Sequence, residues 1–339
     1  MSEPNAQWRL AARPVGLPKR SDWDYVHEPA PEPADGQILV ELEYLSLDPA
    51  MRGWMNEARS YVPPVGIGEV MRAGGIGRVT ESRHPNFTAG ELVSGMFGVQ
   101  RYALSDGQGV RTVDTSLAPV PVHLGVLGMT GLTAYFGLLD VGRPEPGQTV
   151  VVSGAAGAVG NVAGQIARIK GCRTIGIAGG PEKCEWLTEE LGFDAAIDYK
   201  AGEVRADLRQ YAPNGVDVYF DNVGGELLDE VLRRLARNAR VVICGAISQY
   251  NAEQPPRGPA NYMQLLVERA SMAGFLVFDY AKRYPEAVAQ LAEWLQDGKL
   301  ISREDVVRAD LEQFPEVFLR LFRGENVGKL ILELGRHGR

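Results

Sequence analysis

Histidine is scarce in this chain: four occur in 339 residues, His27, His84, His123 and His337, and none stands at metal-ligand spacing from a cysteine or from another histidine. No zinc site is readable, so an alcohol oxidation that depends on zinc is not expected. Cysteine is nearly as rare, with Cys172, Cys184 and Cys244 widely spaced. An odd, scattered set fits reduced thiols and not a disulfide framework, and at most one pair could bridge. Basic tracts and blocks of like charge are missing; the net charge of -8 is well spread, and such a field repels nucleic acid and anionic lipid. Neither is expected as a partner. No apolar run approaches a membrane span, and the opening "MSEPNAQWRLAARPVG" carries Glu3 early without a continuous apolar region. A soluble, cytoplasmic protein is the expectation.

What is present is ample core material, 45% of residues being hydrophobic, at a length that one core seldom organises alone; two domains are expected. From Trp8 to about Val122 short alternating runs such as "QILVELEYLSLD" and "ELVSGMFGVQRYAL" are separated by Gly- and Pro-rich turns. That pattern predicts a mostly antiparallel β domain. Beyond it, apolar runs at 150–153, 174–178, 195–198, 216–220, 240–244 and 272–277 alternate with helix-patterned segments, which predicts a doubly wound parallel sheet of six strands. The last stretch, "REDVVRADLEQFPEVFLRLFRGENVGKLILEL", reads as one amphipathic helix and a strand returning to the β domain. The expected boundaries are 1–122, 123–302 and 303–339.

The first of those runs opens the stretch "VVVSGAAGAVGNVAGQIARIKG", with Gly154, Gly157 and Gly160. In a strand-to-helix crossover the first glycine permits the turn, the second admits pyrophosphate, and the third lets helix approach strand. Ala155 occupies the place of the first glycine of the strict G-x-G-x-x-G, with Gly154 one place earlier. Alone this is a weak match, but a β-branched run precedes it and an amphipathic segment follows, so a dinucleotide site outweighs a turn serving only packing. About twenty residues on, where an acid would hold a ribose 2'-hydroxyl, "TIGIAGGPEKCEWL" offers Gly179 and Gly180 and then Lys183. With Tyr199 after the third strand, Lys183 suits a 2'-phosphate better than it suits a solvated surface, which favours NADP. No tyrosine stands four residues before a lysine, as a short-chain dehydrogenase requires, and "GENVGKL" is one residue short of a phosphate loop for ATP.

In this order "YLSLDPAMRG", "LGVLGMTGLTAY", "GAAGAVG", "AGGPEKCEWL", "FDNVGG", "CGAISQYN", "GFLVFD" and "GENVGK" resemble the zinc-independent medium-chain dehydrogenase/reductases, in the branch of prostaglandin reductase, plant alkenal double-bond reductases and bacterial curcumin reductases. The resemblance covers nearly the whole chain. It implies an α/β protein with a GroES-like β domain, a doubly wound parallel-sheet Rossmann domain and a cleft between them, in which NADPH reduces the carbon–carbon double bond of an α,β-unsaturated ketone or aldehyde. It further implies that Gly157, Ala158, Val159 and Gly160 cradle pyrophosphate and that Lys183 and Tyr199 hold the 2'-phosphate. Asn222, Cys244, Tyr250, Phe275, Val277 and Asn326 would then meet the rest of the cofactor. Asn222 and Asn326 fit equally well as turn residues in left-handed conformation, and Phe275 and Val277 as buried strand.

The difficult chemistry of such a reaction belongs to the cofactor; the protein must orient the enone and supply a hydrogen-bond donor where negative charge grows on its carbonyl oxygen. Tyr250 is the first candidate. Tyr61 in "RSYVPPVGIG" is the second, with packing on Pro63 and Pro64 as its alternative role. Ala50 and Trp54 depart from the usual D-P-Y-M-R-G motif and the arginine common after it, which removes one aromatic side chain from the implied substrate cleft. A quinone reductase of the same superfamily and a non-catalytic NADPH-binding protein are the competing readings. The run "MAGFLVFD" at the expected sheet edge could pair with its twin, so a homodimer is expected.

Overall fold

The computed structural model describes residues 4–335; Glu3 and His337 lie outside the described residues. The chain divides into two compact units. One runs to Leu124 and takes in Glu304–Asn326 and the chain from Leu330; the other is Gly125–Arg303 with Val327–Lys329.

The first unit begins with β1 (Pro4–Leu10), antiparallel to β2 (Trp23–Pro29). Next come β3 (Ile38–Ser46), the short helix α1 (Ala50–Trp54), and β4 (Gly75–Ser82), β5 (Leu92–Gly95), β6 (Tyr102–Ser105) and β7 (Arg111–Thr112). In β3 Ile38, Val40 and Leu42 are fully buried and alternate with the partly exposed Leu39, Glu41 and Glu43, the period-two pattern of a strand with one face on a core. Arg52 on α1 is buried and donates to the carbonyls of Pro14, at 3.1 Å, and Gly16, at 3.0 Å. The arginine of "DPAMRG" therefore pins an N-terminal loop to α1.

The second unit carries α2 (Met129–Phe136), β8 (Thr149–Ser153), α3 (Ala158–Ile169), β9 (Arg173–Ala178), α4 (Pro181–Glu185), β10 (Ala195–Asp198) and α5 (Val204–Tyr211). It continues with β11 (Val216–Asp221), α6 (Gly225–Leu232), β12 (Leu235–Ile243), α7 (Met263–Glu268), β13 (Ser271–Gly274) and α8 (Tyr284–Gln296). The six strands form a parallel sheet in the order β10-β9-β8-β11-β12-β13. The order reverses between β8 and β11, and it is there, outside the carboxyl ends of the strands, that a doubly wound sheet opens a crevice. Val150, Val151 and Val152 of β8 have no exposed surface, which is why the central strand reads as an unbroken β-branched run. Each such side chain contributes about 1.5–3 kcal/mol by leaving water.

The chain then returns to the first unit through β14 (Glu304–Ala309), α9 (Phe314–Arg323) and β15 (Lys329–Leu334). There the larger sheet has the order β14-β15-β3-β4-β5-β7, with β6 also on β3. Phe314 and Phe318 of α9 are buried against Trp23, their ring centroids 5.7 and 6.2 Å from it. Gly324 at φ 65 ends the helix, a left-handed cap that glycine adopts without steric cost.

Three sequence expectations need correction. The sixth strand stops at Gly274 and not at Val277, because the Phe275 ring turns into the core, edge-on to Phe220 at 6.5 Å and into the space that Gly137 leaves. The fifth strand begins at Leu235, ahead of Arg240, and ends at Ile243, with an irregular register against β11 and Asn238 at φ 63. The C-terminal segment holds the additional strand β14, whose half-exposed residues show no alternation.

Candidate active site at the carboxyl ends of the parallel strands

The glycine turn leaves β8 through Gly154 at φ 57, and the Gly157 amide donates back to the Gly154 carbonyl at 2.9 Å. A Cβ on Gly160 would overlap that same carbonyl oxygen and stand 2.9 Å from the Ala155 Cα. Only glycine lets α3 start this close to the strand. The Asn161 side chain is buried and donates to the Gly157 carbonyl at 2.7 Å, fixing the turn from inside. From the C-terminal return, the Gly328 amide donates to the Ala156 carbonyl at 2.8 Å. Gly157, Ala158 and Val159 are only half-buried, so the first turn of α3, whose amides have no intrahelical acceptor, is open to an anion.

Beyond β9, Gly179 faces the ring of Tyr199: a Cβ there would lie 2.8 Å from Tyr199 Cε1 and 2.9 Å from its hydroxyl. Lys200 approaches the same glycine, its Cε standing 3.0 Å from that position. The acid that ends the third strand, Asp198, accepts through one oxygen from the amides of Gly180, at 2.8 Å, and Lys200, at 2.9 Å. Its carboxylate is thus occupied in shaping the turn. Lys183 follows on α4, half-buried, and Tyr199 is about half exposed. The structure therefore brings Tyr199 onto the turn that leads to Lys183.

At the reversal of strand order, Asn222 donates through Nδ2 to the Ser153 carbonyl at 2.7 Å. Neither it nor Asn326 is among the positive-φ residues, so the left-handed reading fails for both. The amides of Cys244 and Gly245 donate to the Asp221 carbonyl at 2.9 and 3.1 Å. Burial, with the Asp221 charge beside it, pushes the Cys244 thiol up to about 12, which makes it a neutral wall and not a nucleophile. Tyr250 closes the loop, its hydroxyl accepting from the Ala246 amide at 3.2 Å. On the other side of β12, Phe275 is half-buried and Val277 buried, and the Val277 carbonyl accepts from the Tyr284 hydroxyl at 3.0 Å.

Gly157–Gly160, Asn222, Cys244 and Tyr250 thus line adjoining turns of the second unit. Tyr61 and Asn326 belong to the first. Tyr61 is about half exposed and its hydroxyl accepts from Trp54 Nε1 at 3.4 Å, a partner that its neighbouring prolines did not suggest. Sequence reasoning missed Asn161, Ser153 and Asp221, the buried polar residues behind the turns. The available signal was a polar residue closing an apolar run, Ser153 after "TVVV" and Asp221 after "VYF".

Residues 6–113 match the family described as the N-terminal domain of oxidoreductase, and residues 158–294 the family described as zinc-binding dehydrogenase. Zinc does not fit here: among the described residues no group of three His, Cys, Asp or Glu could hold a metal ion. The chain is 41% identical to the NADPH-dependent curcumin reductase of Escherichia coli, covering 97% of each protein. It is 39% identical to the NADP(+)-dependent 2-alkenal reductase of Nicotiana tabacum, over 98% of each. The solved structure of CurA in complex with NADPH from Vibrio vulnificus superposes with a TM-score of 0.92 at 45% identity, covering 98% of this chain and 99% of that one. Fold and relatives together define an NADPH-dependent oxidoreductase. The chain belongs to the medium-chain dehydrogenase/reductase family, in the branch of the curcumin, 2-alkenal and prostaglandin reductases.

Proposed function

We propose that this protein reduces the carbon–carbon double bond of α,β-unsaturated ketones or aldehydes with NADPH as cofactor. The observation that carries the reading is Tyr250, a hydroxyl fixed by the Ala246 amide in the loop after β12, in a chain whose relatives are named NADPH-dependent curcumin reductase and NADP(+)-dependent 2-alkenal reductase. When bound, NADPH supplies the hydride for the β-carbon. The chain's own residues bind and orient. Ala158, Val159 and Gly160 present amides to the pyrophosphate, which Gly157, its own amide held by Gly154, lets approach, and Lys183 and Tyr199 take the 2'-phosphate, a role the acid-free end of β9 supports. Asn222, Cys244, Phe275, Val277 and Asn326 hold the remainder. Tyr250 donates a hydrogen bond to the substrate carbonyl oxygen as negative charge develops there, with Tyr61 the second candidate donor.

The first unit is the catalytic domain in this reading and the second the NADPH-binding domain. The protein works in the cytoplasm, as its three free cysteines suggest. It pairs with a second copy through β13, whose four residues are all exposed, beside the exposed Leu266 and Val267 of α7; an open strand edge next to apolar surface favours self-pairing. The test is NADPH consumption by purified protein with a simple aliphatic 2-alkenone, the product being identified by mass spectrometry. A product heavier by two hydrogens that keeps its carbonyl is expected. An allylic alcohol, or turnover only with quinones, would contradict the proposal.

A further inference from the structure

Asp221 has no exposed surface and closes β11 beside the reversal of strand order. Its side-chain oxygens are used unequally. Oδ1 accepts from the hydroxyls of Ser153, at 2.8 Å, and Tyr219, at 2.9 Å, and from the amides of Val223 and Gly224, both at 3.0 Å. Oδ2, equally buried, has no hydrogen-bond partner among the described residues. A buried carboxylate with an unsatisfied oxygen is a costly way to stabilise a strand end. Such a group persists where its geometry is needed, and the bonds of Oδ1 show where that is.

Ser153 is the last residue of β8 and directly precedes Gly154. Its hydroxyl donates to Asp221 and accepts from the Asn222 amide at 2.9 Å. The bond therefore ties the glycine turn to the turn after β11, across the line where a doubly wound sheet takes its ligand. Val223 and Gly224 hold the second turn to the same oxygen, and the Asp221 carbonyl holds the loop after β12 through Cys244 and Gly245. We infer that Asp221, acting through Ser153, is a positioning residue that locks the turns after β8 and β11 into the cofactor-binding arrangement. It touches no reacting atom. Its work is to present the glycine-turn amides and Asn222 already in register, so that binding spends nothing on ordering them.

The inference rests on the NADPH reading above, and its test needs no acceptor substrate. NADPH is titrated into the purified protein by fluorescence, which yields a dissociation constant and a binding-competent fraction. A merely structural role would lower the fraction and leave the constant unchanged. Ser153→Ala removes only the tie between the turns and is expected to weaken NADPH about threefold to tenfold at full competent fraction. Asp221→Asn keeps an acceptor oxygen for the four donors and should stay within about threefold of the parent, whereas Asp221→Ala loses about 100-fold. Ser153→Ala adds little on the background of Asp221→Ala, since the two act as one unit. If Asp221→Ala does not fold, Ser153→Ala and Asp221→Asn decide. Unchanged affinity in Ser153→Ala, or an Asp221→Asn loss well beyond that of Ser153→Ala, would overturn the inference. A parent protein that fails to bind NADPH would overturn both readings.

Discussion

The two turns that meet at the reversal of strand order reach their shape by opposite means. Between Gly154 and Gly160 the shape follows from missing atoms: a side chain at Gly160 would overlap the Gly154 carbonyl. Between Asp221 and Gly224 it follows from polar atoms that are present, one buried oxygen gathering four donors. The first arrangement fails on addition and the second on removal. That difference also decides what a sequence reveals, since glycine spacing is visible as a pattern while a buried hydrogen-bond hub is visible only once its donors are placed.

The sharpest way to separate the two turns is to add one methyl group to the first. Gly160→Ala is expected to cost about 1–3 kcal/mol of stability through overpacking, and to weaken NADPH more than tenfold as α3 is displaced from the strand. Denaturant unfolding and a fluorescence titration read both quantities. Removing an atom from the loop after β12 should act on turnover and not on binding. Tyr250→Phe is expected to lower kcat by about 100-fold, the scale of one lost oxyanion donor, with NADPH affinity close to the parent; steady-state kinetics with unchanged turnover would take Tyr250 out of the mechanism. At the far end of the crevice, Lys183→Ala should weaken NADPH about tenfold and leave NADH alone, and an unaltered cofactor preference would refute the 2'-phosphate role.

The last expected effect is absent near neutral pH and belongs to the loop after β12, through Cys244. The Cys244 thiol rises from an ordinary 9.0 to about 12 in the folded chain, so below pH 9 it is neutral in both folded and unfolded states. As pH climbs from 9 towards 12 only the unfolded chain gives up this proton, and stability falls by about 1.4 kcal/mol per pH unit from this group. Melting measured across that window should show the fall, and Cys244→Ala should flatten it. An identical slope in the variant would mean that other groups carry the alkaline loss.

Much of the fold was legible. The six apolar runs of the second unit each hold a strand; in the central ones burial on both faces leaves an uninterrupted apolar signature, whereas β13 carries its run at an exposed edge. What escaped lay where that signature is weak. The polar "ARNAR" hides the first half of β12, which adopts strand despite an irregular register and a left-handed Asn238. Half-exposed β14 has neither a run nor an alternation to announce it. "GFLVFD" looks like unbroken strand, yet Phe275 leaves the sheet for the space beside Gly137, a tertiary fit that no local pattern encodes. Of the candidate site, the glycine turn was readable as spacing. The roles of Ser153, Asn161 and Asp221 were not, since each depends on partners that the chain brings together only on folding.

In the proposed reaction, hydride goes to the β-carbon of an enone. The most direct measurement uses NADPH deuterated at the transferable C4 position, a 2-alkenone, and NMR of the product. Deuterium on the β-carbon of a saturated ketone is the predicted result; deuterium on the carbonyl carbon of an allylic alcohol would contradict it.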